Sequence, residues 1–161
     1  MIFQSSQDFI DKLNNLFNGL IALPLLLIAF GYLEIYSGDF NGYVTLNSWY
    51  FSLVFVIVIV GLMVYLFRSF KTEVKKIDAS LSIMDRVVFY YNTAKRFYMR
   101  VFFLSLFTTG LLFLFGEKSY AGAYAFILFI LSVNRPNLGS IASQLGLKGD
   151  DRQTFINKSL F

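Results

Sequence analysis

The chain of 161 residues has no cysteine and no histidine. Disulfides, thiolate nucleophiles, Cys/His zinc sites, cysteine-ligated iron–sulfur clusters, histidine-ligated haem and imidazole acid–base chemistry are therefore excluded within it. Charge is scarce as well. Charged residues make up 15% of the chain against 57% hydrophobic, and the mean hydropathy is +0.61. Soluble domains carry about 25% charged residues, so this balance does not describe an ordinary water-soluble globule. No Walker loop, GxGxxG, nucleophile elbow or paired acidic motif occurs. An enzyme without His and Cys would need Asp, Glu, Lys, Ser or Tyr in a set, and no such set assembles in the sequence. A non-enzyme without cofactor or metal is the expectation.

What the chain does have is long uncharged runs. The organising one is Trp49 to Phe67, WYFSLVFVIVIVGLMVYLF, nineteen residues without a charge. Its β-branched centre would suit a buried strand, but strands usually end after 4–8 residues, and a run of this length is a candidate membrane span. Three further apolar runs follow the same logic: Leu20 to Tyr36, whose only charge is Glu34, Val101 to Gly116 and the shorter Tyr120 to Asn134. The expected fold is all-α, a polytopic membrane protein with four transmembrane helices in a single domain. Gly19 is expected to separate the first span from an amphipathic helix over residues 1–18, whose Phe9, Leu13, Leu16 and Phe17 fall at helical spacing. That helix would lie at the lipid interface or pack on the protein's own surface. Pro24 would sit in the first turns of its span.

Cations set the orientation. Eight of the fourteen Lys and Arg lie between Arg68 and Arg100, directly after the organising run. The loop Ser37 to Ser48 contains none, and Lys118 is the only one assigned to the same side as that loop. Lys and Arg accumulate on the cytoplasmic side of membrane proteins. Both termini are thus expected on the cytoplasmic or matrix side of a bacterial or organellar inner membrane, with residues 135–161 forming a tail. The net charge of +4 is explained by this clustering, and nucleic acid is not an expected partner.

The basic segment 68–100 carries two helical stripes, Phe67, Phe70, Val74, Ile77 and Leu81, then Met84, Val88, Tyr91, Ala94, Tyr98 and Val101. The second and third spans should therefore run on as helices and meet near residues 78–82. If residues 83–116 form one helix, it is roughly 50 Å long against a hydrocarbon core of about 30 Å, and a cytoplasmic hairpin of about 20 Å would protrude. The alternative is a separate amphipathic helix lying flat on the headgroups. Ser5 with Asp8, and Ser82 with Asp85, have capping-box spacing. A short helix over 140–145 with Gly146 as its stop is expected in the tail, and loose order in the last dozen residues.

Few residues carry candidate chemistry. Glu34 is an ionisable group inside a span and so a proton or transport candidate, with an interfacial role as the bland reading. Ser105, Thr108 and Thr109 could line a polar path or bond their own backbone and pack helices. Ala121 and Ala125, at small-xxx-small spacing, favour close approach of the fourth span to the third or to another subunit. Arg68, Lys71, Lys75, Lys76, Lys95, Arg96 and Arg100 could hold anionic lipid or only fix orientation. Asp150 and Asp151 are adjacent carboxylates in a Gly-bounded turn, read as solvated. Two functions are consistent with this set. One is a non-catalytic membrane subunit or scaffold that docks partners on Phe89, Tyr90, Tyr91, Phe97 and Tyr98 or self-associates. The other is a small oligomeric ion or proton channel or carrier. The expected partners are membrane lipids and further subunits, identical or different.

Overall fold

The computed structural model describes residues 3–44, 49–78 and 80–157. Lys158, the last part of the first loop (45–48) and Ala79 in the expected turn lie outside the described residues. The described chain is all-helical, without strands. Six helices follow in order: α1 (Ser6–Ser37), α2 (Trp49–Lys75), α3 (Ile83–Phe115), α4 (Ser119–Val133), α5 (Leu138–Gln144) and α6 (Gly149–Ile156). Three of them, α1 to α3, are long and apolar enough to cross a membrane, or four spans if α4 is counted with the helix after it. This composition and length are those of a multi-pass helical membrane protein. In its most apolar stretch α3 is 50% buried, against 22% for α1 and 17% for α2, so α3 is the inner helix of the set.

Two features depart from the sequence reading. First, α1 continues through Gly19 as one helix of 32 residues. A single glycine costs a helix about 1 kcal/mol, too little to break a segment held by packing on both sides. Pro24 is consequently inside the helix, where it is buried. Its missing N–H leaves one carbonyl of the preceding turn without its usual donor, which membrane helices tolerate. Second, the tail is structured as far as Ile156. α6 forms, and Phe155 is buried against Phe9 with ring centroids 6.2 Å apart.

The chain contacts divide into two compact units. One unit comprises Gly19–Leu66 and Met99–Asn134. Its inner contacts run along α1, α3 and α4. Gly31 lets Leu112 and Phe113 approach, and the Tyr124 hydroxyl donates to the Ile21 carbonyl at 3.4 Å. The loop after α1 is fastened to the end of α3: the Val44 N–H donates to the Leu114 carbonyl at 2.8 Å. Gly42 and Gly116, both at positive φ, meet backbone to backbone. Large apolar side chains cover the outside of this unit, among them Leu26 (69% exposed), Leu33 (63%), Ile57 (61%) and Phe129 (65%).

The other unit comprises Met1–Asn18, Phe67–Tyr98 and Arg135–Phe161. It is arranged the other way round, with an aromatic interior. The start of α1 runs parallel to α3: Phe9 packs on Tyr90 and Tyr91, and Phe17 on Tyr98 at 5.5 Å. The end of α2 runs antiparallel to α3, with Phe70 stacked on Phe97 at 4.8 Å. The amphipathic start of the chain therefore packs its apolar face on the protein itself. Tyr90, Tyr91, Phe97 and Tyr98, expected to form a contact surface, are core residues because α1 and α2 cover them. Of the five aromatics, only Phe89 is exposed. Both capping motifs form: Ser5 Oγ accepts from the Asp8 N–H at 3.2 Å and Ser82 Oγ from the Asp85 N–H at 3.1 Å.

Candidate functional site

Beyond Phe67, α2 leaves its apolar run but stays helical to Lys75. Lys71 and Lys75 are four residues apart and so share a helix face. The Lys71 ammonium is positioned over the Phe67 ring, 4.4 Å from its centroid.

The facing wall comes from the tail. Asn137 caps α5 by accepting the Ser140 N–H at 2.8 Å. The helix closes in a Schellman arrangement, with the Leu147 N–H on the Ala142 carbonyl at 3.0 Å and the Gly146 N–H on the Ser143 carbonyl at 3.2 Å. Gly146 supplies the positive φ of 69° that this closure needs. Leu147 is buried beneath it, and the Arg86 guanidinium bridges the Leu81 and Leu145 carbonyls at 2.9 and 3.3 Å, tying the start of α3 to the end of α5. The turn is thereby fixed on both sides.

Two adjoining hollows result. The first, of about 460 Å³, is lined by Lys71, Val74, Lys75, Ser143 and Gln144. The second, of about 440 Å³, is lined by Ser143, Gly146, Leu147, Lys148, Gly149 and Arg152. Ser143 lines both, so the two hollows adjoin as a groove, with Lys71 and Lys75 lining its first part and Lys148 and Arg152 its second. All four are exposed, and among the described residues none lies within 4.0 Å of a carboxylate. Asp150 and Asp151, in the first turn of α6, are exposed and line neither hollow.

The other candidate residues fall as follows. Glu34 is half-buried, one turn before the end of α1, and its carbonyl accepts from the Phe40 N–H and the Ser37 hydroxyl. Ser105, Thr108 and Thr109 are buried, but the two threonine hydroxyls donate to the Leu104 and Ser105 carbonyls of their own helix at 2.8 Å. The buried stripe of α4 is Tyr120, Ala123, Tyr124, Ile127 and Leu131. Ala121 is half-buried, Ala125 is exposed, and a Cβ at Gly122 would meet nothing within 4 Å. The small face of α4 thus lies off its packed side. Of the seven basic candidates, all are exposed and only Lys71 and Lys75 line the groove. Arg96 is paired with Glu73 at 3.7 Å, and Arg100 belongs to the apolar unit.

Sequence reasoning missed Ser143, Gln144, Lys148 and Arg152. They lie some seventy residues from Lys71, and no local pattern links them to it. A search of family models, of curated proteins and of solved structures finds no match to this chain.

Proposed function

We propose that this protein is a non-catalytic subunit or scaffold of a membrane assembly, spanning the bilayer four times with both termini on the cytoplasmic or matrix side. The contrast between the two units carries this reading. One turns large apolar side chains outward, as a surface in lipid does and one in water rarely does over so wide an area. The other folds its aromatics inward and turns cations outward. Thirteen of the fourteen Lys and Arg then fall on one side, as the positive-inside bias requires. The end of α2 and the start of α3 form a helical hairpin that belongs to that side, with the start of α1 and the tail packed around it.

The docking surface in this reading is the exposed basic surface of this unit, since the hairpin aromatics are interior. The exposed small face of α4 is available for self-association. A channel or carrier would need a polar path; the Thr108 and Thr109 hydroxyls are engaged by their own helix, and Glu34 stands near a helix end.

The native chain has no cysteine, so single-cysteine labelling is clean. Asp39→Cys should react with an impermeant maleimide from the side opposite to Lys12→Cys and Arg152→Cys. Labelling of all three from one side would refute the topology. Native mass in mild detergent tests the role: a heteromer supports a subunit, whereas a closed homo-ring with ion flux in liposomes overturns it.

A further inference from the structure

We infer that the groove between the end of α2 and the α5–α6 turn is a discrete binding site for the phosphate of an anionic phospholipid headgroup. The inference rests on the membrane reading above and sharpens it, from a diffuse basic surface to one defined site.

Three observations carry it. The groove is concave and of ligand size, about 460 and 440 Å³ in its two parts. Its cations come from both walls, Lys71 and Lys75 from α2, Lys148 and Arg152 from the tail, and no carboxylate within 4.0 Å among the described residues neutralises any of them. Ser143 and Gln144 add neutral polar groups between the two pairs. Such a set of ammonium and guanidinium donors with hydroxyl and amide neighbours matches a phosphate diester or monoester.

Position selects lipid over a soluble phosphate. Lys71 follows the last residue of the apolar run by four residues and Lys75 by eight, about 6 and 12 Å along a helix. Headgroups add about 5–8 Å to each side of the hydrocarbon core. On the membrane reading Lys71 therefore stands at headgroup depth and Lys75 a few ångströms beyond it, within reach of a headgroup through its long side chain. The groove is also rigidly framed. Arg86 and the glycine-closed turn hold the tail wall, and the Phe67 ring lies under the Lys71 ammonium. Asp150 and Asp151 complement the start of α6, so the anion is held by side chains of the groove and not by that helix end.

The test uses the full chain in nanodiscs of phosphatidylcholine with a small, titrated fraction of phosphatidylglycerol, and counts retained lipids by native mass spectrometry. The wild type should keep one phosphatidylglycerol. Lys71→Gln with Lys75→Gln, and separately Lys148→Gln with Arg152→Gln, should each weaken retention roughly tenfold or more. Lys95→Gln with Arg96→Gln removes the same charge outside the groove and should change it less than about twofold. All six residues are exposed, so the variants should fold, and unchanged helicity confirms that they do. Equal losses in all three double variants would show diffuse attraction and overturn the site. Inorganic phosphate or glycerol phosphate displacing the lipid at millimolar concentration would overturn the lipid assignment in favour of a soluble phosphate. The nanodisc result depends neither on orientation nor on partner proteins, so its failure is separable from failure of the subunit reading.

Discussion

Replacing Gly42 with alanine, beside the same change at Gly38, isolates the contact that closes the loop after α1. The two glycines have almost the same backbone conformation, φ 86° and 85°. An L-residue there is strained by about 1–2 kcal/mol, and alanine restores about 0.4–1 kcal/mol by stiffening the unfolded chain. Gly38→Ala should thus cost about 1 kcal/mol, since a Cβ at that position meets nothing within 4 Å. At Gly42 the Cβ would lie 2.5 Å from both the Gly116 nitrogen and the Phe115 carbonyl carbon. These are backbone atoms at the end of α3 and cannot swing aside. The loop must lift, which adds overpacking strain of about 1–3 kcal/mol. It also loses the Val44–Leu114 hydrogen bond, worth about 1 kcal/mol. The expected difference between the two variants is about 2–4 kcal/mol.

The assay is unfolding of the detergent-solubilised protein by SDS, followed through helical circular dichroism, with the two variants and wild type side by side. Gly42→Ala should unfold at clearly lower SDS fraction, and Gly38→Ala close to wild type. Equal shifts would refute the reasoning, because the shared φ term would then account for everything and the backbone clamp for nothing.

Three further outcomes follow from particular contacts. Thr108→Val and Thr109→Val remove hydroxyls that serve only their own helix, so each should change SDS stability by less than about 1 kcal/mol; a larger loss would reveal an interhelical role. Phe155→Ala should cost about 3–5 kcal/mol locally and expose the α5–α6 segment to limited proteolysis, since the ring is buried against Phe9; an unchanged digestion pattern would contradict that anchoring. Burial raises the Tyr90 and Tyr98 phenols well above their ordinary value, and the neighbouring Tyr90 adds to the rise at Tyr98. Their contribution to stability is therefore complete below the unfolded value of about 10 and is lost as pH rises toward the folded values. The share of phenolate absorbance that Tyr90→Phe with Tyr98→Phe removes should appear only together with loss of helicity, and its appearance in a fully helical protein at the ordinary phenol value would contradict this.

The all-helical class and the apolar helices were legible because they depend on runs and periods within one stretch of chain. Trp49 to Phe67 reads as a helix despite its valines and isoleucines, since a lipid-facing backbone has to satisfy its own hydrogen bonds. The two capping pairs and the glycine stop at Gly146 are equally local, and they form. What was not legible is what covers what. The stripe containing Tyr91 and Tyr98 is visible as a stripe, but whether it faces a partner or the start of the same chain is decided by Phe9 and Phe17, some eighty residues earlier. Gly19 misled because a helix boundary is set by packing on either side as much as by the residue itself.

The groove shows the same limit from the side of function. In the sequence, Lys71 and Lys75 are indistinguishable from Arg68, Lys76, Lys95 and Arg96: all are cations after a span, and orientation alone would account for each. Folding separates them. Arg96 is placed beside Glu73, whereas Lys71 and Lys75 line a hollow that adjoins, at Ser143, the one lined by Lys148 and Arg152. Among the described residues none of the four lies within 4.0 Å of a carboxylate, although Glu73, Asp150 and Asp151 neighbour them in sequence, and a chain that needed only positive-inside bias could have left these cations dispersed. An anion between the two pairs of cations would offset whatever repulsion they exert on one another. In the topology proposed above, orientation accounts for the number of cations on this side of the chain, and a bound anion would account for why these four line one groove.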